Sequence, residues 1–142
     1  MGYISDVAIA FVFSEKEQID EVLAIYQMRP FVSEHNLVEA WKIRDWNGVW
    51  GLTFSNSGTK WYDSYEDVQG LEDMADVVKT FADERGDAFP YAHCKLRVGE
   101  DDDDTESVYD YNEAGNELID ELYDRMSIRR EIQLEFEGKS ND

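Results

Sequence analysis

The stretch Ile4 to Phe13 (ISDVAIAFVF) is rich in Val, Ile, Phe and Ala, without the polar alternation of a half-exposed strand. A strand of that composition is stable only when both of its faces are covered. It therefore predicts a central strand, and the rest of the chain must supply what lies against each side.

The following residues predict how. Ser14 with Glu17 forms a capping-box pattern, and Ile19, Val22, Leu23 and Tyr26 recur at helical spacing, so a first helix is expected from about Glu15 to Met28. Pro30 cannot continue it, and Phe31 to Ala40 reads as irregular or briefly helical. Trp41 to Trp46, Asn47-Gly48 and Val49 to Ser55 form a hairpin signal, because Asn-Gly accepts the positive φ angles of a type I′ turn. Asn56 to Thr59 reads as a second turn and Lys60 to Tyr62 as a short third strand of a meander.

Val68, Leu71, Met74, Ala75, Val78, Phe81 and Ala82 trace one apolar stripe of a helix that ends near Gly86. Phe89 to Val98 and Ser107 to Tyr111 read as hairpin strands. Leu118, Ile119, Leu122, Tyr123 and Met126 mark a last helix, and Ile128, Ile132, Leu134 and Phe136 a final strand of period two. Interspersed helices and hairpins give an α+β fold: one domain over residues 1–136, with a mostly antiparallel sheet packed against two or three helices. Glu137 to Asp142 is expected to be a disordered tail.

Composition limits function. The 142 residues carry 33 Asp and Glu against 13 Lys and Arg, a formal charge of −20 that repels phosphate backbones and anionic headgroups. Direct binding of nucleic acid or a membrane surface is not expected. No run approaches the roughly 20 apolar residues of a membrane span, and no secretory leader is expected. One cysteine, Cys94, and two histidines, His35 and His93, are too few for a zinc cage. The histidines lack a catalytic context, and His93 and Cys94 point to opposite faces of a strand. With no phosphate-binding glycine loop either, no enzyme, metal or cofactor is expected.

The strongest asymmetry lies between Gly99 and Asp124, where 26 positions hold twelve acidic residues and no basic one. The loop acids Asp101, Asp102, Asp103, Asp104 and Glu106 depart from a calcium-binding loop, which needs a turn glycine where Ser107 stands. They are expected to form an exposed hairpin tip without an ion. Glu113, Glu117, Asp120, Glu121 and Asp124 would share one face if the last helix extends that far. Helical carboxylates about 5–6 Å apart approach the spacing of strand phosphates. These ten acids are the candidate partner-binding surface, and the partner a protein with a basic, DNA-binding surface. A second candidate surface is aromatic: Trp41, Trp46, Trp50, Trp61, Tyr62 and Tyr65 fall within 25 residues, and such side chains serve either as core or as interface anchors.

Three segments, MGYISDVAIAF, KWYDSYEDVQ from Lys60 to Gln69 and LRVGEDDDD from Leu96 to Asp104, together resemble a family of small acidic bacteriophage-encoded proteins of unknown function. Its members begin MGYxSDVA and carry KWYxSYxDV and acidic RxGE blocks. The resemblance implies a phage or prophage context and no activity, favours host takeover or evasion of defence, and singles out Trp61, Tyr62, Tyr65, Arg97, Gly99 and Glu100. A cytoplasmic location in the host bacterial cell is expected from the lack of a leader or span. The leading expectation is a non-enzymatic, phage-derived inhibitor that binds a basic, DNA-binding host protein through its C-terminal acidic half, with imitation of DNA as one reading of that surface. The alternative is a small-ligand or metal-binding module built on Trp61, Tyr62, Tyr65, Arg97 and Glu100, around the Arg97 to Asp104 turn.

Overall fold

The computed structural model describes residues 3–101, 103–128 and 132–136. Strand β1 (Ser5–Phe13) occupies the middle of a five-stranded antiparallel sheet. Its neighbours are β3 (Trp50–Thr59) and β4 (Tyr91–Gly99), and β2 (Lys42–Asp45) and β5 (Thr105–Tyr111) form the two edges. Both faces of β1 are buried, as its composition requires. Val7, Ile9, Phe11 and Phe13 enter one core, and Ala8, Ala10 and Val12 enter another.

The first core lies beneath α1 (Lys16–Tyr26), α2 (Pro30–His35) and α3 (Glu66–Arg85). In α3, Val68, Leu71, Met74, Val78 and Ala82 are buried as the stripe predicts, while Ala75 and Phe81 are half-buried at its margin. Pro30 begins α2 instead of merely ending α1, since the first helical position needs no N–H donor. Trp41 donates its indole N–H to the Tyr26 hydroxyl at 3.0 Å, which donates to the Gly70 carbonyl at 2.8 Å. This chain satisfies buried polar atoms between three elements.

The second core is smaller and is closed by α4 (Ile119–Arg125) and by a separate hairpin of β6 (Met126–Ile128) and β7 (Ile132–Leu134). Asn47 and Gly48 turn the β2–β3 hairpin with φ of 57° and 109°, as expected of Asn-Gly. Trp46 then folds over Gly51, where any Cβ would fall inside its ring.

Four expectations need correction. The helix-entry box uses Gln18 rather than Glu17: its side-chain oxygen accepts from the Ser14 and Glu15 N–H groups at 3.1 Å, and its amide donates to the Pro90 carbonyl at 2.8 Å. That second bond makes the amide a better cap than a carboxylate. Asn56 to Thr59 is no turn and Lys60 to Tyr62 no strand, because β3 continues along β1 through a register shift between Ser5 and Val7. Among the described residues four α-helices accompany the sheet, and the fold is the expected α+β arrangement of a mostly antiparallel sheet against helices. The C-terminal apolar positions form the β6–β7 hairpin, not one strand. Finally, α4 has seven residues and starts only at Ile119. The tail from residue 137 lies outside the described residues.

Candidate functional site

The β4–β5 hairpin carries the first group of candidate acids, and its geometry divides them. The turn closes through the Gly99 N–H on the Asp104 carbonyl at 2.8 Å and the Asp104 N–H on the Asp101 carbonyl at 3.0 Å. Asp101 and Asp103 point to solvent, and Asp102 lies outside the described residues. Asp104 and Glu106 do not belong to a free tip. Arg97 donates to both oxygens of Asp104, at 2.7 and 3.2 Å, and to Glu106 at 3.2 Å. The Arg97 guanidinium and the Tyr3 hydroxyl, the latter at 2.6 Å, hold the Asp104 carboxyl down at about 2. Lys95 adds pairs with Glu72 and with Glu106.

These ion pairs line a cleft of about 550 Å³ whose wall includes Tyr3, Trp61, Tyr62, Lys95, Arg97 and Asp104. Three segments far apart in sequence meet there. The Tyr3 N–H donates to the Tyr62 hydroxyl, and the Ile4 N–H to Glu100 at 2.6 Å. Tyr65 touches Tyr62 edge-on, with centroids 5.0 Å apart. The aromatic candidates divide: Trp41, Trp46 and Trp61 are buried, Trp50 and Tyr62 half-buried and Tyr65 exposed. The indole N–H of Trp61 is buried and lacks an acceptor among the described residues. Both cations of the cleft are already matched by carboxylates, so its charge is compensated from within.

The second group of acids does not form one helical face. Glu113 belongs to a 3-10 turn, Glu113–Gly115, and Glu117 to the turn that follows. The interruption comes from packing: Gly115 lies against the backbone of Tyr91, where any Cβ would collide with the Tyr91 carbonyl. Asn112 fixes the approach by accepting the Tyr91 N–H at 3.1 Å and donating to the Phe89 carbonyl at 2.8 Å. Within α4, Glu121 pairs with Arg125 at 3.0 Å. Glu113, Glu117, Asp120 and Asp124 are exposed, with no cation partner among the described residues.

Next to them lies a feature absent from the sequence-based candidates. Tyr109 and Tyr111 of β5 and Tyr123 of α4 are 37%, 46% and 52% exposed. The register Cys94↔Tyr109 and Ala92↔Tyr111 puts both strand tyrosines on the face of the sheet that α4 covers. Asp120 precedes Tyr123 by three positions and Asp124 by four, so α4 presents these three side chains from one surface. The result is a tyrosine cluster bordered by free carboxylates. Its signal was present in the alternation Ser107-Val108-Tyr109-Asp110-Tyr111, which sends the two tyrosines the same way.

Cys94 and His93, adjacent on β4, are both buried. Burial raises the Cys94 thiol to about 12 and lowers His93 to about 4. His93 stacks on Phe11 in one core while Cys94 sits in the other, so the two cannot act together. Glu34, His35 and Glu66 offer ligand atoms within 4.8 Å of one another and could hold a metal ion, though all three are exposed to competing water. Comparison with protein-family models, curated proteins and solved structures found no match.

Proposed function

We propose that the chain is a non-enzymatic protein ligand that occupies a basic surface of a bacterial host protein, one of the kind that binds DNA. The observation carrying this reading is the β5–α4 face, where exposed Tyr109 and Tyr123 are in ring contact, Tyr111 shares the face of β5 with Tyr109, and Asp120 and Asp124 share the surface of α4 with Tyr123. Tyrosines supply contact area at small entropic cost, and carboxylates steer a cationic partner onto it. A formal charge of −20 extends that steering over the whole molecule. With α4 only seven residues long, the account relies on charge and aromatic contact and not on a rail of carboxylates in phosphate register. The resemblance of three segments to phage proteins supports a host protein as the partner. The test is capture of bacterial proteins on the tagged chain, followed by competition of the captured protein with duplex DNA. A basic partner that is displaced from DNA supports the reading, and one that holds DNA as before removes DNA mimicry.

A second reading, a small-ligand module, has in its favour the cleft of about 550 Å³ and the Trp61 indole N–H, which is unmatched among the described residues. Compensation of Arg97 and Lys95 by carboxylates leaves it the weaker one.

A further inference from the structure

We infer that the outer edge of β5 takes an extended, lysine- or arginine-bearing segment of the partner as a sixth strand of the sheet. This rests on the reading of the chain as a ligand for a basic protein and specifies how that protein is held.

The sheet order β2-β3-β1-β4-β5 leaves one side of β5 without a neighbouring strand among the described residues. Antiparallel pairing alternates residues that bond to the neighbour with residues whose N–H and C=O point away. Two bonds fix the phase here: the Gly99 N–H donates to Asp104, and the Asn112 N–H donates to Tyr91. Asp104, Glu106, Val108, Asp110 and Asn112 therefore face β4, and Thr105, Ser107, Tyr109 and Tyr111 turn their backbone groups outward. Two of those outward donors are already taken. Thr105 donates to the Asp103 carbonyl at 3.1 Å, and Tyr111 to the Asp110 carboxylate at 2.9 Å. Ser107 and Tyr109 keep N–H groups aimed at the open edge, in a strand whose residues are nearly all exposed. An edge of this kind is a template for another strand.

Charge selects the occupant. A second copy of the chain, itself at −20, would bring acids against Asp103, Asp110 and Glu113, which lie in β5 or next to its ends. Like charges across an interface disfavour that pairing, whereas a basic segment is drawn to it. The opposite edge, β2, is four residues long and carries Lys42 and Arg44, so it does not offer the same attraction. Side chains also suit an added strand. Tyr109 and Tyr111 on one face and Val108 on the other supply apolar neighbours for both rows of the incoming residues.

The experiment uses a blocked octapeptide alternating lysine and valine, titrated into the full chain at low salt, with amide hydrogen exchange read residue by residue. Exchange at Ser107 and Tyr109 should slow about tenfold or more at saturation, as expected for donors gaining a strand partner, while Val108 and Asp110 stay unchanged. Ser107→Pro removes one outward donor at a position where an edge strand tolerates proline. It should weaken the peptide about tenfold, with Ser107→Ala close to the parent. If Ser107→Pro disturbs the fold by circular dichroism, the exchange measurement on the parent chain decides. Salt-sensitive binding with unchanged exchange at Ser107 and Tyr109 overturns the added strand and leaves the basic-partner reading intact. Failure of both the peptide and any basic host protein to bind at low salt overturns both.

Discussion

The ring of Tyr109 on β5 lies 4.9 Å from the ring of Tyr123 on α4, centroid to centroid, at an interplanar angle of 44°. This contact joins the edge strand to the last helix and makes one surface of two elements. Burial raises the Tyr109 hydroxyl to about 12, so its ring presents neutral, amphipathic area beside the acidic side chains of α4. An anchor of that kind is suited to a cationic protein surface, where aromatic area carries binding energy and carboxylates carry orientation.

The hairpin tip should bind no stoichiometric calcium. Asp104 and Glu106 would have to exchange Arg97 and Lys95 for the ion, which takes two of the tip's five acids out of a hard-cation shell. Calorimetry with Ca²⁺ should show no one-to-one event. A micromolar site would overturn this arrangement and promote the small-ligand reading.

Leu71→Ala should destabilise the fold by about 2–5 kcal/mol, the usual cost of emptying a buried leucine site. Leu71 is 6% exposed and shares a core with Val7, Ile9 and Phe11. Chemical denaturation measures the change. A loss below about 0.5 kcal/mol, the surface norm, contradicts the packing of α3 on the sheet.

His93 makes stability pH-dependent. Burial holds its folded value near 4 against an ordinary 6.5, with Asp110 opposing the shift and Lys95 adding to it. Below pH 6.5 the unfolded chain takes up a proton that the folded chain refuses, so stability contributed by neutral His93 is lost as pH falls from 6.5 towards 4. Relative to His93→Phe, which keeps a ring against Phe11, the parent should lose roughly 3 kcal/mol across that window. Parallel stability curves for the two proteins would show that His93 titrates normally.

How much of this was legible in the sequence depended on how far each determinant reaches. Strand β1, the Asn47-Gly48 turn and the α3 stripe are written locally, in composition, a dipeptide and a periodicity. The length of β3 is not. Asn56 to Gly58 has the composition of a turn, yet the Gly58 N–H is held by the Asp6 carboxylate at 2.8 Å, from a strand distant in sequence. The start of α4 depends on Gly115 meeting the Tyr91 backbone. Asp104 and Glu106 read as free acids because Arg97 is brought to them only when the hairpin closes. Acid count was visible from the sequence, but which acids remain uncompensated was a tertiary property.

The central claim is that the β5–α4 face binds a basic protein. The measurement that tests it most directly is the affinity of the captured partner for the parent chain and for the triple variant Glu117→Lys, Asp120→Lys, Asp124→Lys, each at low and high salt. All three side chains are exposed and free of cation partners among the described residues, so the variant should fold as the parent does by circular dichroism. The account predicts that the parent loses affinity steeply as salt rises and that the variant does not bind at either salt. A folded variant with parental affinity, or a parental affinity indifferent to salt, would contradict it.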